Sequence, residues 1–416
     1  MLQMAGVIAA EMLASLFVNY FFVFLYILVI VYIRAAHQRY SELQSTIYGK
    51  PERSLREITE QIILIGLIAG FISSFFTVAA GVTIETETVR YLFLIMCLLL
   101  LFDLRLVCIS YAAGILASAS LIFGSPKVNI SSLLCLVAVL QLVESILVYL
   151  NRKGACVPIF IKHNGEIAGA FLIRRFWMIP VVFFTHLMQP GVNSLNLIQE
   201  WPMNFYSPAL ESGVWALGLD CLVAVLCHTD IAITRHPEKK SAQSAGMLFV
   251  YSTALLLMAF LSLDVAWIGY IGVIFCVLGH EGIYFYSKLS ERAGRPLFSA
   301  VKRGLRVMEV LADSHAAKMG LERGDIILSI NNNDIQTDEG VGEALREFPT
   351  YTWIHVLSWD GKEKTVEYKC FPGGYNKLGI ISVPREKEVT YKTEYFERMS
   401  ILQNIVNRFR GMDRMT

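Results

Sequence analysis

The chain has 416 residues, of which 55% are hydrophobic and 17% are charged, and its formal net charge is +1. A soluble globular chain carries about 25% charged residues, so this composition is typical of an integral membrane protein. With no basic field over the whole chain, we expect no nucleic-acid partner. The cysteines form no CxxC pair and mostly lie in apolar runs, so no disulfide framework, metal site or cofactor is predicted.

Long uncharged runs predict a polytopic α-helical membrane domain over residues 1–287. A helix needs about 20 mostly apolar residues to cross the hydrocarbon core of a bilayer. Helices are expected there because a helix makes all its backbone hydrogen bonds within itself, and lipid offers no other partners. Asp103 and Arg105 interrupt the run 89–123, which predicts two helices with a tight turn where these two residues pair or meet water. The other predicted spans are 12–33, 62–82, 130–150, 176–188, 208–227, 247–263 and 265–286. Seven to nine helices are expected, with nine preferred.

The distribution of positive charge predicts the orientation of these spans. Lysine and arginine concentrate in residues 34–60, 151–175 and 229–245, whereas the alternate loops contain only Arg90 and Lys127. Positive loops favour the cytoplasmic side. We therefore expect a multi-pass protein of the cell membrane with its C-terminal part in the cytoplasm.

Residues 157–175 alternate apolar and polar side chains on both sides of Asn164 and Gly165. An Asn-Gly pair between alternating segments is the strongest short signal for a β-hairpin. The sequence predicts a small cytoplasmic hairpin here.

Ionisable residues inside the spans are costly and raise functional hypotheses. Asp220 lies near the middle of a predicted span, with His186 and Gln141 as candidate partners. An ion or proton path is one interpretation, and a hydrogen bond between packed helices is the other and is preferred, because a path needs several convergent groups.

His280 and Glu281 form half of the HExxH pattern of membrane zinc peptidases, which places two histidine ligands on one helix face. Tyr284 stands where the second histidine belongs, so one metal ligand is missing. A polar cluster at the cytoplasmic end of the last helix is the preferred interpretation, and no catalytic residue is predicted.

Residues 295–384 have the pattern of a small α+β domain. The predicted elements are a strand at 304–310, a short helix ending at Gly320, a turn and strand at 321–331, a helix at 338–347 and a hairpin around Asp360 and Gly361. The run EVLADSHAAKMGLERGDIILSINNNDI, residues 309–335, resembles a PDZ domain, with paired alanines before a GLxxGDxI segment. Asn332 stands where that family usually has glycine.

The resemblance implies peptide binding, in which an extended ligand adds a strand to a sheet edge and backbone N–H groups capture its carboxylate. The Gly-flanked apolar segment that forms the capture loop in this family occurs at residues 373–381, after the other elements, so a circularly permuted domain is expected. The alternative is a closing core strand that blocks the groove. The predicted peptide-binding residues are Leu378, Gly379, Ile380 and Ile381 on the strand and Asp338, Gly342 and Leu345 on the facing helix.

The tail, residues 385–416, contains one apolar helical seam formed by Tyr395, Met399, Leu402, Val406 and Phe409. Two heptads are too few for a stable isolated coiled coil. Docking on the PDZ domain is preferred over contact with the membrane or with a partner helix.

The hairpin segment, the turn at 102–105 and Gly279-His280-Glu281 before the PDZ domain look like the MinJ family of bacterial division-site proteins. That resemblance implies a membrane adaptor without catalysis that connects the polar scaffold DivIVA to the ATPase MinD. It also implies enrichment at septa and poles. The other functions considered are an intramembrane peptidase whose PDZ domain presents substrate, and a transporter regulated by its PDZ domain.

Overall fold

The computed structural model describes residues 2–48, 54–102, 104–154, 156–187, 204–205, 216–370, 373–375 and 377–384. The predicted tail, 385–416, and Asp103 lie outside these residues. The N-terminal region is mainly helical, and the C-terminal region is a β-rich domain. Described helices of the first region are α1 (Leu2–Phe17), α2 (Tyr20–Tyr48), α3 (Leu55–Ala80), α4 (Thr86–Phe102), α5 (Ile109–Phe123), α6 (Ile130–Leu150), α7 (Pro237–Asp264) and α8 (Ala266–Ala293).

Five of these helices are long and apolar enough to cross a membrane, judged by length and composition within the described residues. They are α3, α6, α7, α8 and the part of α2 between Phe22 and Glu42. The helices predicted at 62–82, 130–150, 247–263 and 265–286 are confirmed as helices. So are the two helices predicted in 89–123, which are separated by a short 3-10 turn, Leu104–Val107.

The span predicted at 12–33 is wrong, because two helices meet inside it. α1 ends at Phe17 and α2 begins at Tyr20. Asn19 lies at the break, and its Oδ1 accepts a hydrogen bond from the backbone N–H of Phe22 at 3.2 Å. Asparagine favours such a position because its side chain satisfies an N–H that the new helix leaves unpaired.

The helices predicted at 176–188 and 208–227 are also wrong, because both segments are strands. The hairpin predicted at 157–175 is confirmed, with β1 (Val157–His163) and β2 (Glu166–Leu187) joined by Asn164 and Gly165 in positive φ. β2 runs on past the predicted end, and its part from Phe171 to Leu187 pairs with β3 (Ala216–Ala232) in antiparallel register. Valine, phenylalanine and isoleucine are common in buried strands as well as in membrane helices, so hydrophobicity did not separate the two.

Beyond the part paired with β1, the other edge of β2 is covered by α3, whose polar side chains satisfy the strand backbone. The N–H of Val182 donates to Ser74 Oγ at 2.8 Å, and Thr77 Oγ1 donates to the carbonyl of Val182 at 2.7 Å. Beyond the end of α3, the chain continues this edge, since Phe184 donates to the carbonyl of Val82 at 3.0 Å. An uncovered strand edge in an apolar environment leaves several costly unpaired groups.

A buried ionic cluster connects β3, α7 and α8. Lys240 is 0% exposed, and its Nζ lies 3.3 Å from Glu291 Oε1 and 3.8 Å from Asp230 Oδ1. The other carboxylate oxygen of Glu291 accepts the backbone N–H groups of Ile233 and Thr234. Such extra hydrogen bonds are what a buried ion pair requires, because desolvation otherwise outweighs the attraction.

The C-terminal domain is built around a six-stranded sheet with two short helices, and the predicted order of elements is confirmed. Along the main path the strands run β10, β5, β6, β8, β9, and the short β7 pairs with β6. The last strand in sequence therefore lies beside the first strand of this sheet. The elements are β5 (Leu305–Val310), α9 (His315–Met319), β6 (Ile326–Ile330), β7 (Asn333–Asp334), α10 (Asp338–Glu347), β8 (Tyr351–Leu357), β9 (Glu363–Lys369) and β10 (Ile380–Ser382).

This domain is attached to the long hairpin through a separate apolar cluster. The short strand β4 (Phe298–Ser299) pairs with β2 at Gly169 and Ala168. Phe298 is buried against Phe171 of the hairpin, and the same cluster contains Met308 and Val383 of the C-terminal domain. The strand pairing and the apolar cluster thus hold the C-terminal domain against the hairpin.

Candidate peptide-binding groove

The predicted groove strand, β10, lies at one end of its sheet, and within the described residues no strand pairs with its outer side. Ile380 lies opposite Val310, while Leu311 donates its N–H to the carbonyl of Gly379 at 3.0 Å. In an antiparallel ladder this pattern makes Ile380 and Val310 a non-hydrogen-bonded pair. The N–H and C=O of Ile380 therefore point away from β5, towards the outer edge.

The loop that leads into β10 is held by the start of α9. Leu378 is 2% exposed, and its carbonyl accepts the N–H of Ala316 at 2.9 Å. Gly379 has φ +80°, and a Cβ added to it would collide with the side chain of Ser314. Only glycine fits here without strain, because the left-handed conformation and the close contact both exclude a larger residue.

The facing helix, α10, begins at a well-formed cap and packs one side into the domain core. Thr337 Oγ1 accepts the N–H of Gly340 at 3.3 Å, as expected for an N-cap residue. Leu345 is fully buried in the core, to which Ile380 also packs from the edge strand. A Cβ built on Gly342 meets no atom within 4 Å, so open space lies beside this helix position.

Asp338 and Ser382 connect the helix to the strand at one end. The Ser382 hydroxyl donates to Asp338 Oδ1 at 2.6 Å. Asp338 as a whole residue is exposed, but partial desolvation of its carboxyl raises the pKa above its ordinary value, and the hydrogen bond from Ser382 acts in the opposite direction. A ligand strand that extends as far as Ser382 must break this hydrogen bond or pass beside it.

The structure thus places the seven predicted residues on two neighbouring elements and the loop before one of them, with different environments. Leu378 and Leu345 are core residues, Ile380 and Ile381 are half-buried on the edge strand, and Gly342 borders open space. Sequence reasoning missed Ser382 as the partner of Asp338 and Ser314 as the residue packed against Gly379. Neither of these two contacts has a sequence signature, since each joins residues that are distant in sequence.

The polar residues singled out near the end of α8 contact residues of α5 and of the turn before it. Glu281 accepts hydrogen bonds from Tyr111 at 2.5 Å and Arg105 at 3.2 Å, and His280 Nε2 lies 3.7 Å from Cys108 Sγ. Among the described residues, no group of three or more His, Cys, Asp or Glu side chains is placed to hold a metal ion.

Asp220 lies on strand β3 rather than on a helix, and its Oδ1 accepts the N–H of Cys221 at 2.8 Å. Gln141, one of its predicted partners, donates instead to Cys108 Sγ at 3.1 Å. The side chain of His186, the other candidate, lies outside the described residues.

Fold and site define a protein with several apolar helices followed by a PDZ domain, and the PDZ domain family matches residues 306–352. A solved PDZ domain of an SdrC-like protein from Listeria monocytogenes is 23% identical and covers 20% of this chain and 90% of that one, with a TM-score of 0.17.

The curated homologues of the chain are cell division topological determinants named MinJ. The Bacillus subtilis (strain 168) protein is 22% identical over 234 residues, which are 55% of each chain. The probable MinJ of Lacticaseibacillus paracasei is 30% identical over 84 residues, 20% of this chain and 23% of the relative. The match thus spans about half the length of the first relative and about a quarter of the second.

Proposed function

We propose that this protein is a membrane-held adaptor in division-site placement whose PDZ groove, between β10 and α10, binds a peptide segment or C-terminus of a partner. The observation that carries the proposal is the outward-facing backbone of Ile380 on a sheet edge. Adding a ligand strand there pairs the outward N–H and C=O groups of Ile380, on a side of β10 where no described strand lies. The names of the homologues support the division role.

The resemblance to MinJ-like proteins favours two partners, a DivIVA-like polar scaffold and a MinD-like ATPase. Both would meet this protein at the lipid bilayer. Partners confined to one membrane reach a high effective concentration, so an affinity on the order of micromolar suffices. The proposed location is the cell membrane, crossed several times, with the PDZ domain in the cytoplasm and enrichment at septa and poles.

A pull-down with the full-length protein tests the groove. Gly342→Gln places a side chain in the open space beside α10, and we expect at least about a tenfold loss of partner capture, since the ligand must share that space. The change favours the helix itself, because glycine is the poorer helix former by up to about 1 kcal/mol.

Glu343→Gln is the matched control, since Glu343 is the next residue on α10 and is exposed. It should leave capture unchanged. If both variants capture the partner as well as the unmodified protein does, the groove is not the site that binds it. A fluorescent fusion that stays uniformly distributed in the membrane, without septal enrichment, would count against the division role.

A further inference from the structure

A cavity of about 140 Å³ lies where α2, α3, the end of α6 and β2 meet. A water molecule occupies about 30 Å³ in the liquid, so the cavity has room for several waters or for one small anion. Its polar lining includes Arg174 and Arg175 of β2, Gln44 of α2 and Gln61 of α3. None of the described residues that line it is acidic.

Arg175 gives the cavity a buried positive charge. Arg175 is 6% exposed, and among the described residues its Nη2 donates to the carbonyl of Arg152, at 3.5 Å. Within the described part of the chain, Nη1 has no hydrogen-bond partner, and no ion pair of Arg175 is found there. A buried guanidinium without an anion is costly, and arginine is the side chain best shaped to bind carboxylate or phosphate in a forked geometry.

The apolar side of the cavity shows which kind of anion fits. Ile58 and Ile62 line it and also line a second, smaller cavity, of about 10 Å³, that continues between α2 and α3 past Ile30 and Met178. Arg34, His37 and Thr59 also line this second cavity, but isoleucine and methionine side chains form most of its wall, so a mainly apolar path between two long helices leads away from Arg174 and Arg175. An anionic lipid has this same division into a charged phosphodiester and apolar chains.

We propose that this cavity is a binding site for a phosphoryl anion, supplied by the headgroup of an anionic membrane lipid. The guanidinium of Arg175 binds the phosphate oxygens, and the amide of Gln61 lies at the exposed entrance of the site. Lipid binding here would hold α2, α3 and the hairpin together at the level where the helices leave the apolar region.

The test measures the thermal stability of the full-length protein in neutral detergent during titration with phosphatidylglycerol, with phosphatidylcholine as the neutral lipid. A ligand that binds the folded state raises Tm by mass action. We therefore expect phosphatidylglycerol to raise Tm and phosphatidylcholine to leave it unchanged. In a second arm, inorganic phosphate is compared with chloride at equal ionic strength. A rise with phosphate but not with phosphatidylglycerol would keep the anion site and overturn the lipid as its source.

Arg175→Gln and Gln61→Glu should each weaken the apparent affinity for phosphatidylglycerol by about tenfold or more. The first change removes a charged hydrogen-bond donor, and the second places a negative charge beside the negative phosphate. Gln61 is exposed, so its variant tests the site even where the Arg175 variant does not fold. Arg56→Gln is the matched control, because Arg56 lies on the same helix, is 87% exposed and pairs with Glu60. No rise with either ligand, or an equal loss in the Arg56 variant, would overturn the proposal.

Discussion

Single residues decide the shape of the candidate groove. Gly379 allows the loop before β10 to pass close to Ser314, and the hydrogen bond between Ser382 and Asp338 brings the far end of the strand to the helix. The first feature depends on a missing side chain and the second on a side-chain pair. Substitution at either position should change the groove without altering the rest of the sheet.

Replacing Ser382 with alanine should raise the pKa of Asp338 further, because the hydroxyl favours the charged carboxylate. A folded-state pKa above the ordinary 3.8 means that the folded protein holds this proton more tightly than the unfolded chain does. The stabilisation from Asp338 is therefore present below pH 3.8 and is lost as the pH rises through the folded-state pKa. Carbon-13 NMR titration of the aspartate carboxyls measures the shift. A Ser358→Ala variant, in a distant turn, should leave the Asp338 titration unchanged, and an unchanged pKa in Ser382→Ala would contradict the argument.

Among the elements, α3 and β2 show how a strand is accommodated within an apolar helical region. Ser74 and Thr77 satisfy the strand backbone, and two glycines on the same helix allow the approach. A Cβ on Gly66 or Gly70 would collide with the carbonyl oxygens of Met178 and Pro180. Small residues four apart permit this kind of close packing in membrane proteins.

Gly70→Ala should destabilise the folded protein by about 1 to 3 kcal/mol, because the added methyl group pushes α3 away from the backbone of β2. Thermal unfolding in detergent measures the loss. Gly246→Ala in α7 is the control, since a Cβ there meets no atom within 4 Å. It should be neutral or stabilising, as alanine is the better helix former. Equal Tm values for the two variants would mean that α3 does not depend on this contact.

At the scale of the whole molecule, the PDZ domain and the hairpin form a common apolar cluster. Val383 follows the groove strand β10 directly and lies in the same cluster as Phe171 and Phe298. Arg323 of the domain also lies over the ring of Phe171, 5.4 Å from its centre. The orientation of the groove relative to the helices is thereby set by side-chain packing as well as by the short connection, residues 294–297, between α8 and β4.

Phe298→Ala should weaken the contact between the PDZ domain and the hairpin, so that the domain moves relative to it. Replacing a fully buried phenylalanine with alanine destabilises the packing by about 3 to 5 kcal/mol. Spin labels on β9 and on α6 would report a broader distance distribution in this variant. Phe348→Ala is the control, because Phe348 is 44% exposed on the same domain. A distribution as narrow as that of the control would show that the cluster does not hold the domain.

Sequence alone determined the elements whose signals are local. The PDZ segment, the Asn164-Gly165 turn and most long helices follow from side-chain types at fixed spacings, and so do the N-cap Ser314 and the C-cap Gly320 of α9. The strand identity of 176–187 and 216–232 was decided by tertiary structure, although the shortness of 176–188 and its Pro180 were warnings against a membrane helix. Apolar side chains can be buried equally well on a helix and on a strand. Whether such a segment forms a helix or a strand therefore depends on which partners its backbone N–H and C=O groups find. For β2 those partners are β3 and the hydroxyls of α3. The outward-facing Ile380, the hydrogen bond between Asp338 and Ser382 and the cavity beside Arg175 likewise arise only when distant segments meet, because each is a relation between surfaces that no local pattern encodes.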